Sequence, residues 1–151
     1  MEDIEDFKKS IGEKSRLLGI DPGKKRVGIA ISDENKLVST PLKTIIKKNN
    51  TNVINDILEI IKENNIKGVV VGNPINMDGS KGPSSQSAKD FAKNLSNNIS
   101  IPIVMWDERL SSQGAFNLSS NLNINTSKKV EKLDQNAASF ILQGAIDYIK
   151  R

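Results

Sequence analysis

Acidic side chains directly follow two apolar stretches of this sequence, a spacing suited to holding a metal ion. Asp21 follows the apolar run 17–20 and precedes the turn-forming pair Pro22-Gly23. Asp107 and Glu108 follow the apolar run 101–106 in the same way. We expect these acids to meet where two strands leave a sheet. Along a regular strand only one of Asp107 and Glu108 can share a face with Asp21, because neighbouring strand residues point to opposite faces. A tight bend at this point could bring both acids close.

A third acid, Asp134, lies on the apolar side of the last predicted helix. The apolar residues that follow it at helical spacing are Ala137, Ala138, Ile141, Leu142, Ala145, Ile146 and Ile149. A carboxylate on a core-facing stripe is unfavourable unless it is paired or binds a metal. Asp134 could therefore complete the ligand set, and its alternative role is to cap the N-terminal turn of that helix.

Histidine and cysteine are both absent from the sequence, which excludes most hydrolytic sites. No Ser-His-Asp or Cys-His arrangement and no cysteine zinc site can form. Catalysis would have to use carboxylates, lysines, hydroxyls or a cation held by oxygen ligands. Oxygen ligands alone select Mg²⁺, Mn²⁺ or Ca²⁺, and the expected cofactor is Mg²⁺ or Mn²⁺. Two such cations can generate hydroxide from water and stabilise the leaving oxygen of a phosphodiester.

Charge and hydropathy favour a nucleic-acid partner and give no indication of a membrane. The 151-residue chain has a formal net charge of +4, a modest excess that fits a polyanion. Its apolar runs are too short to span a bilayer, and residues 1–6 are acidic where a signal peptide is basic. We therefore expect a cytoplasmic protein, either a monomer or a weak homodimer.

Hydrophobic periodicity predicts the strands and helices that must position the acids. The predicted strands cover 17–21, 27–32, 37–44, 68–72 and 101–106. The predicted helices begin near residue 53, surround 88–95, cover 113–118, and run from 129 or 134 to 150. Hairpin turns make the first three strands antiparallel, and helical crossovers make the later ones parallel.

This order of elements predicts an α/β fold with one mixed five-stranded sheet. Three antiparallel strands are followed by parallel strands, and helices cover both faces. Residues 16–151 form this single domain. Residues 1–15 are an N-terminal extension, in which Ile4, Phe7 and Ile11 have the spacing of a short amphipathic helix.

Four motifs, in this order, make the chain resemble the YqgF/RuvX family of bacterial proteins, which has an RNase H-like fold. They are Gly19-Ile20-Asp21-Pro22-Gly23 with Lys25-Arg26-Val27-Gly28, Val71-Gly72-Asn73-Pro74 with Asn76-Met77-Asp78-Gly79-Ser80, Trp106-Asp107-Glu108-Arg109-Leu110-Ser111, and Asp134 with Ala137-Ala138. Two positions depart from the family pattern: Asn73 stands where leucine is usual, and Gln135 where lysine is usual.

The resemblance implies a divalent-metal nuclease, in a family assigned mainly to maturing the 5′ end of pre-16S ribosomal RNA. It implies catalytic acids at Asp21, at Asp107 or Glu108, and at Asp134. We assign the metal to Asp21, Glu108 and Asp134, and Asp107 is the alternative to Glu108. The alternative activity on the same fold is a Holliday junction resolvase, which cuts four-way DNA.

Basic residues near the acids are candidates for binding substrate phosphates. They are Lys25, Arg26, Arg109, Lys128 and Lys129. An arginine beside a metal-bound phosphodiester can stabilise charge in the transition state. The alternative roles for these residues are structural salt bridges and plain solvation.

Two further hypotheses come from other functional classes. A sugar-kinase or actin-like ATPase also begins its phosphate loop with a strand, a glycine and an aspartate, but it needs a second such domain that 151 residues cannot supply. A non-catalytic RNA-binding module would need no metal. Trp106 and Phe91 lie within apolar patterns, so we expect them in the core rather than as platforms for base stacking.

Overall fold

The computed structural model describes residues 3–74, 82–108 and 126–150, with the side chains of the last segment described from Asn136 onward. The helices are α1 (Ile4–Ile11), α2 (Asn50–Glu63), α3 (Pro83–Ser96) and α4 (Thr126–Ile149). The strands are β1 (Arg16–Pro22), β2 (Arg26–Ser32), β3 (Ser39–Ile46), β4 (Ile66–Asn73) and β5 (Ile103–Asp107). The short helix predicted at 113–118 lies outside the described residues.

The five strands form one mixed sheet in the order β3-β2-β1-β4-β5. β1 pairs antiparallel with β2, and β2 pairs antiparallel with β3. β4 pairs parallel with β1, and β5 pairs parallel with β4. This arrangement confirms the predicted mixed sheet, with its antiparallel strands first in the chain and its parallel strands later.

Helices cover both faces of the sheet, each over its own apolar core. On one face α2 and α3 pack on side chains such as Ile20, Val69 and Val71. On the other face α1 and α4 pack on Leu17 and Val70, among others. β1 and β4 are buried on both faces because they lie in the middle of the sheet, which explains their nearly continuous apolar sequences.

Helix α4 approaches β1 closely because Gly19 has no side chain. A Cβ built on Gly19 would lie 2.7 Å from Cβ of Leu142 and 3.0 Å from the carbonyl oxygen of Ala138. Real Cβ atoms do not tolerate the first of these separations. The glycine therefore sets the height of α4 above the strand, two residues before Asp21.

The N-terminal helix α1 is part of the second core rather than a free arm. Its N-cap Asp3 accepts a hydrogen bond from the backbone N–H of Asp6 at 2.9 Å, which fixes the first turn. On its inner side Phe7 and Ile11 are buried in the α4-side core. The α1 segment of the predicted extension thus contributes apolar packing to the domain that follows it.

A buried lysine ties the segment after α1 to the β2–β3 turn. The ammonium group of Lys36 donates hydrogen bonds to the carbonyl oxygens of Gly12 and Glu13 and to Oγ of Ser15. Burial lowers the pKa of Lys36 below its ordinary value, and the nearby charge of Lys150 lowers it further. The three acceptors partly replace the water that this ammonium group loses.

Strand β3 begins two residues later than the predicted span 37–44, and Asp33 is the reason. Its carboxylate accepts hydrogen bonds from the backbone N–H groups of Leu37 at 2.8 Å, Val38 at 3.0 Å and Asn35 at 3.2 Å. These bonds hold the chain in an extended turn. Pairing with β2 therefore starts only at Ser39.

Candidate active site

Parallel pairing brings the ends of β1, β4 and β5 to one edge of the sheet. Ile20 in β1 aligns with Val71 in β4, which aligns with Met105 in β5. Asp21 and the pair at 107–108 lie just beyond these positions. As the sequence predicts, the acids that follow the two apolar runs come together at the carboxyl edge.

Of the two adjacent acids, Glu108 lies on the same face as Asp21. Trp106, two residues before Glu108, is buried in the α4-side core, as is Leu17 in β1. Asp21 lies four residues after Leu17 along the same strand, so the two share a face. Asp107 instead aligns with Asn73 and points to the α3 side.

Gly72 in the intervening strand leaves the space that Glu108 occupies. A Cβ on Gly72 would lie 2.8 Å from Oε1 of Glu108 and 2.6 Å from Cδ1 of Ile141. Any side chain at position 72 would therefore push the carboxylate away from the strand. Gly72 thus allows the carboxylate of Glu108 to lie over β4, between the ends of β1 and β5.

A cavity of about 300 Å³ opens at this edge, and we call it the carboxylate cavity. Asp21 and Glu108 both line it, while Asp107 does not. Two cations, Lys24 and Lys47, also line it. Lys47 reaches the site because its backbone N–H donates to the carbonyl oxygen of Lys25 at 2.9 Å, which joins the end of β3 to the β1–β2 turn. Two carboxylates and two ammonium groups suit a metal-bound phosphate.

The N-terminus of α3 also lies at the lining of the carboxylate cavity. Ser84, in the first turn, lines the cavity. That turn contains no acidic residue, and its N-cap residue, Gly82, has no side chain that could cap the helix. The backbone N–H groups at a helix N-terminus favour negative charge, so this part of the lining is suited to a phosphate oxygen.

The start of α3 is held to the end of β4 by a buried hydrogen bond. Oγ of Ser85 donates to Oδ1 of Asn73 at 2.8 Å, and both side chains are buried. Asn73 is the residue that departs from the family's usual leucine. Here the amide is paired with a hydroxyl, so the departure has a structural partner in the same chain.

Asp134 is the ninth residue of α4. It is well inside the helix, so it does not cap the N-terminus. Its side chain is outside the described residues, but the path of the helix backbone is known. Lys150 Nζ donates to the carbonyl oxygen of Asn35, and Glu34 accepts from Ser15, which precedes β1. The helix therefore ends near the start of β1, and its earlier turns approach the end of that strand.

Position 134 in α4 and Asp21 in β1 lie at similar distances from the contact between Ala138 and Gly19, each measured along its own element. Ala138 lies against Gly19, and position 134 is one helical turn, roughly 5.4 Å, further along the helix axis. Asp21 is two strand residues beyond Gly19, roughly 6.6 Å along β1. The backbone thus brings position 134 to the level of Asp21.

The chemistry of the described donors fits a hard divalent cation, with two carboxylates rather than three. Within 3–74, 82–108 and the described part of α4, no group of three acidic side chains is close enough to bind a metal together. Asp21 and Glu108 are the acidic residues that line the carboxylate cavity, and carboxylate oxygens are the ligands that such a cation prefers. A third carboxylate would have to come from beyond these side chains, and position 134 is where the helix could supply it.

The basic residues predicted from the sequence and located by the structure do not line the carboxylate cavity, whereas Asp21 and Glu108 do. Lys25 is exposed in the turn, and neither Lys25 nor Arg26 lines the carboxylate cavity. Arg109 and the side chains of Lys128 and Lys129 lie outside the described residues. The structure brings Lys24 and Lys47 to the site instead, and for Lys47 the sequence carries no signal because the β3–β2 pairing delivers it.

Phe91 lies where the sequence predicts it and has an additional position at the cavity. It is half-buried against the α2/α3-side core, as its apolar pattern indicates. Yet it also lines the carboxylate cavity, next to Ser87. Trp106 is core as predicted, and its ring meets that of Tyr148 edge-on with centroids 5.6 Å apart.

Comparison with known proteins identifies the family of this chain. The model of the RuvX family, described as Holliday junction resolvase, matches residues 15–148. A protein of Pelagibacter ubique (strain HTCC1062) is 56% identical over 146 residues, which are 97% of each chain. A protein of Ruegeria sp. (strain TM1040) is 43% identical over 97% of this chain and 94% of its own. Both carry the name "Putative pre-16S rRNA nuclease".

Solved structures show the same fold at low sequence identity. T. thermophilus RuvC in complex with a Holliday junction substrate superposes with a TM-score of 0.56 at 12% identity, covering 84% of this chain and 91% of that one. A second structure of Thermus thermophilus RuvC gives a TM-score of 0.51 at the same identity. At this identity the likeness concerns the fold alone. In the part of the chain that the structure describes, no helix is long and apolar enough to cross a membrane.

Proposed function

Because the chain belongs to the RuvX family, we propose that it is a divalent-metal-dependent nuclease that processes the 5′ end of pre-16S ribosomal RNA. The relatives named above, which match over nearly the full length of both chains, carry the name "Putative pre-16S rRNA nuclease". One observation carries the proposal for this chain: Asp21 and Glu108, from different strands, line one cavity together with Lys24 and Lys47. A ribosomal precursor as substrate also implies action in the cytoplasm.

The proposed site divides its work between acids and cations. Asp21 and Glu108, with Asp134 as the third ligand, would hold Mg²⁺ or Mn²⁺. The bound cation would lower the pKa of a water molecule and stabilise the leaving oxygen. Lys24, Lys47 and the N-terminus of α3 bind the phosphates on either side of the cleaved bond. The chain has no histidine, so carboxylates also orient the attacking water.

Conservative substitutions of the acids test this proposal. Asp21→Asn and Glu108→Gln keep side-chain size but remove a ligand charge, so each should lower the single-turnover cleavage rate of a 5′-extended 16S precursor more than about 100-fold. Asp107→Asn decides between the adjacent acids and should retain most of the activity, since its side chain points to the α3 side. Circular dichroism would establish that all three variants fold. Full activity in Asp21→Asn would overturn the proposal.

Resolution of Holliday junctions is the second candidate, favoured by the description of the family model. A resolvase makes paired cuts on opposite strands, so it must act as a symmetric dimer. The test is cleavage of a four-way DNA junction, together with the mass of the protein on that junction. A strictly monomeric complex would exclude this activity and leave the RNA substrate.

A further inference from the structure

A second cavity continues from the carboxylate cavity between α2 and α3, and it is large enough for a nucleoside. Its volume is about 430 Å³, within the range of roughly 300–1,000 Å³ typical of small-molecule sites. The two cavities share Lys47, Ser87 and Phe91 on their linings. A chain that passes from one to the other would keep contact with the same wall. We call the second one the nucleoside cavity.

The residues of α3 that line this cavity recur once per turn. Ser87, Phe91 and Asn94 lie at helical spacing, with Asp90 beside them. They present an aromatic ring and polar groups to the same space. Oδ1 of Asp90 accepts a hydrogen bond from Nε2 of Gln86 at 2.9 Å, which orients the carboxylate. An aromatic face bordered by amide and carboxylate groups is the chemistry that recognises a nucleobase.

The charges of the two cavities differ, and this difference indicates where the phosphate and where the base of a bound nucleotide would lie. Lys47, at the shared wall, is the cation that lines both cavities. The nucleoside cavity adds an acid, Asp90, and the amides Asn50 and Asn94. A phosphate would be bound beside Lys47 at the shared wall and repelled by Asp90 in the rest of the nucleoside cavity. The uncharged part of a nucleotide, its base and sugar, fits the part of the cavity that Asp90, Asn50 and Asn94 line.

We propose that the nucleoside cavity binds one unpaired nucleotide of the substrate, next to the phosphate held in the carboxylate cavity. The base stacks on Phe91, and its polar edge meets Asp90 and Asn94. Lys47 binds the phosphate that joins this nucleotide to the next one. The inference rests on the proposed nuclease function, and it specifies the substrate: cleavage requires a single-stranded nucleotide at one fixed position beside the cut.

The test is a double-mutant cycle between protein and RNA. The probe is a fluorescent RNA hairpin with a single-stranded 5′ extension, and a set of copies in which each extension nucleotide in turn is abasic. Phe91→Leu keeps an apolar side chain, although a smaller one, and removes the aromatic face. Phe140→Leu, a half-buried aromatic of α4 that lines neither cavity, is the matched control. Anisotropy in the absence of divalent metal gives Kd without cleavage, and Mg²⁺ gives single-turnover rates.

At one position the missing base should weaken binding to the wild type about 10-fold, the effect of one stacked base. The same abasic RNA should bind Phe91→Leu no more weakly than the intact RNA does, while Phe140→Leu behaves like the wild type. Equal abasic effects in wild type and Phe91→Leu would overturn the nucleoside cavity. Base-dependent binding with no cleavage of any RNA would instead overturn the nuclease function and leave the cavity standing.

Discussion

At the scale of single residues, Gly72 determines where a candidate metal ligand can be. Because Gly72 has no side chain, Oε1 of Glu108 can lie close to the strand. A Cβ at this position would be 2.8 Å from that oxygen, which is closer than real Cβ atoms approach. The other atom that a Cβ would meet is the tip of the Ile141 side chain, which can move at little cost. Position 72 should therefore affect the site more than the fold.

This argument predicts that Gly72→Ala lowers cleavage activity with only a small loss of stability. We expect a rate about 10-fold lower, comparable to disturbing a residue that orients a ligand, and a thermal midpoint close to that of the wild type. Gly19→Ala is the contrasting variant, because its Cβ would meet backbone and Cβ atoms of α4 that cannot give way. It should lower the midpoint clearly. A larger loss of stability in Gly72→Ala than in Gly19→Ala would contradict the prediction.

The pKa of Asp33 makes the β2–β3 turn sensitive to acid. Hydrogen bonds from backbone N–H groups hold the pKa of Asp33 below its ordinary value, and the bond from Val38 has the largest effect. A carboxyl whose pKa is lowered on folding stabilises the protein above its unfolded pKa, and this contribution is lost as pH falls through the folded value. The stabilising effect is therefore complete at neutral pH and disappears in strong acid.

We predict that Asp33→Asn lowers the thermal midpoint at neutral pH and that the difference from the wild type shrinks below about pH 4. Thermal unfolding of both proteins, followed by circular dichroism across this pH range, measures the effect. A difference that stays constant from neutral to acid pH would show that the charge of Asp33 does not contribute.

At the scale of elements, the site is assembled by contacts between a strand end and a helix start. The hydrogen bond from Ser85 to Asn73 fixes the first turn of α3 against the end of β4. That turn carries the serine that lines the carboxylate cavity. Both partners are buried, so removing either one would leave the other without a hydrogen bond. A buried polar group in that state lowers the stability of the protein.

A double-mutant cycle tests this element contact. Asn73→Leu, which restores the family's usual residue, leaves the Ser85 hydroxyl buried without its partner and should cost about 1–3 kcal/mol of unfolding free energy. Asn73→Leu combined with Ser85→Ala should recover most of that loss. Denaturant unfolding of the two single variants and the double variant gives the coupling energy. Additive losses would mean that the two side chains do not interact.

At the scale of the whole molecule, β1 and α4 must be brought together for the proposed metal ligands to meet. More than a hundred residues separate Asp21 from position 134, and the contact of Gly19 with Ala138 sets their relative height. Carboxylates gathered in this way repel one another, and a bound cation removes the repulsion. The proposed site thus couples metal binding to global stability.

We predict that Mg²⁺ or Mn²⁺ raises the thermal midpoint of the wild type and leaves Asp21→Asn nearly unchanged. At a metal concentration about 100 times Kd, the gain in unfolding free energy is about 2.7 kcal/mol. Differential scanning calorimetry with and without metal measures the gain. An equal increase in both proteins would indicate that the cation binds elsewhere.

Several features of the fold could be predicted from the sequence because they depend on local patterns. The apolar run 17–20, the β-branched residues of β4 and the stripe from Ala137 to Ile149 determine strand and helix type by their periodicity. The change from hairpins to helical crossovers determines that the sheet is mixed. The carboxyl edge as the meeting place of Asp21 and the acidic pair at 107–108 follows from those same elements.

The choice between Asp107 and Glu108 was open in the sequence, because alternation along a strand shows that one acid faces away without showing which. Packing decides it: Trp106 is buried beneath α4, which directs Glu108 to that side. The same holds for Lys47, which reaches the carboxylate cavity through pairing between β2 and β3, and for Phe91, which is both a core residue and a cavity wall. Periodicity is a property of neighbours in the chain, whereas these positions depend on contacts between distant segments, and only the tertiary structure contains those contacts.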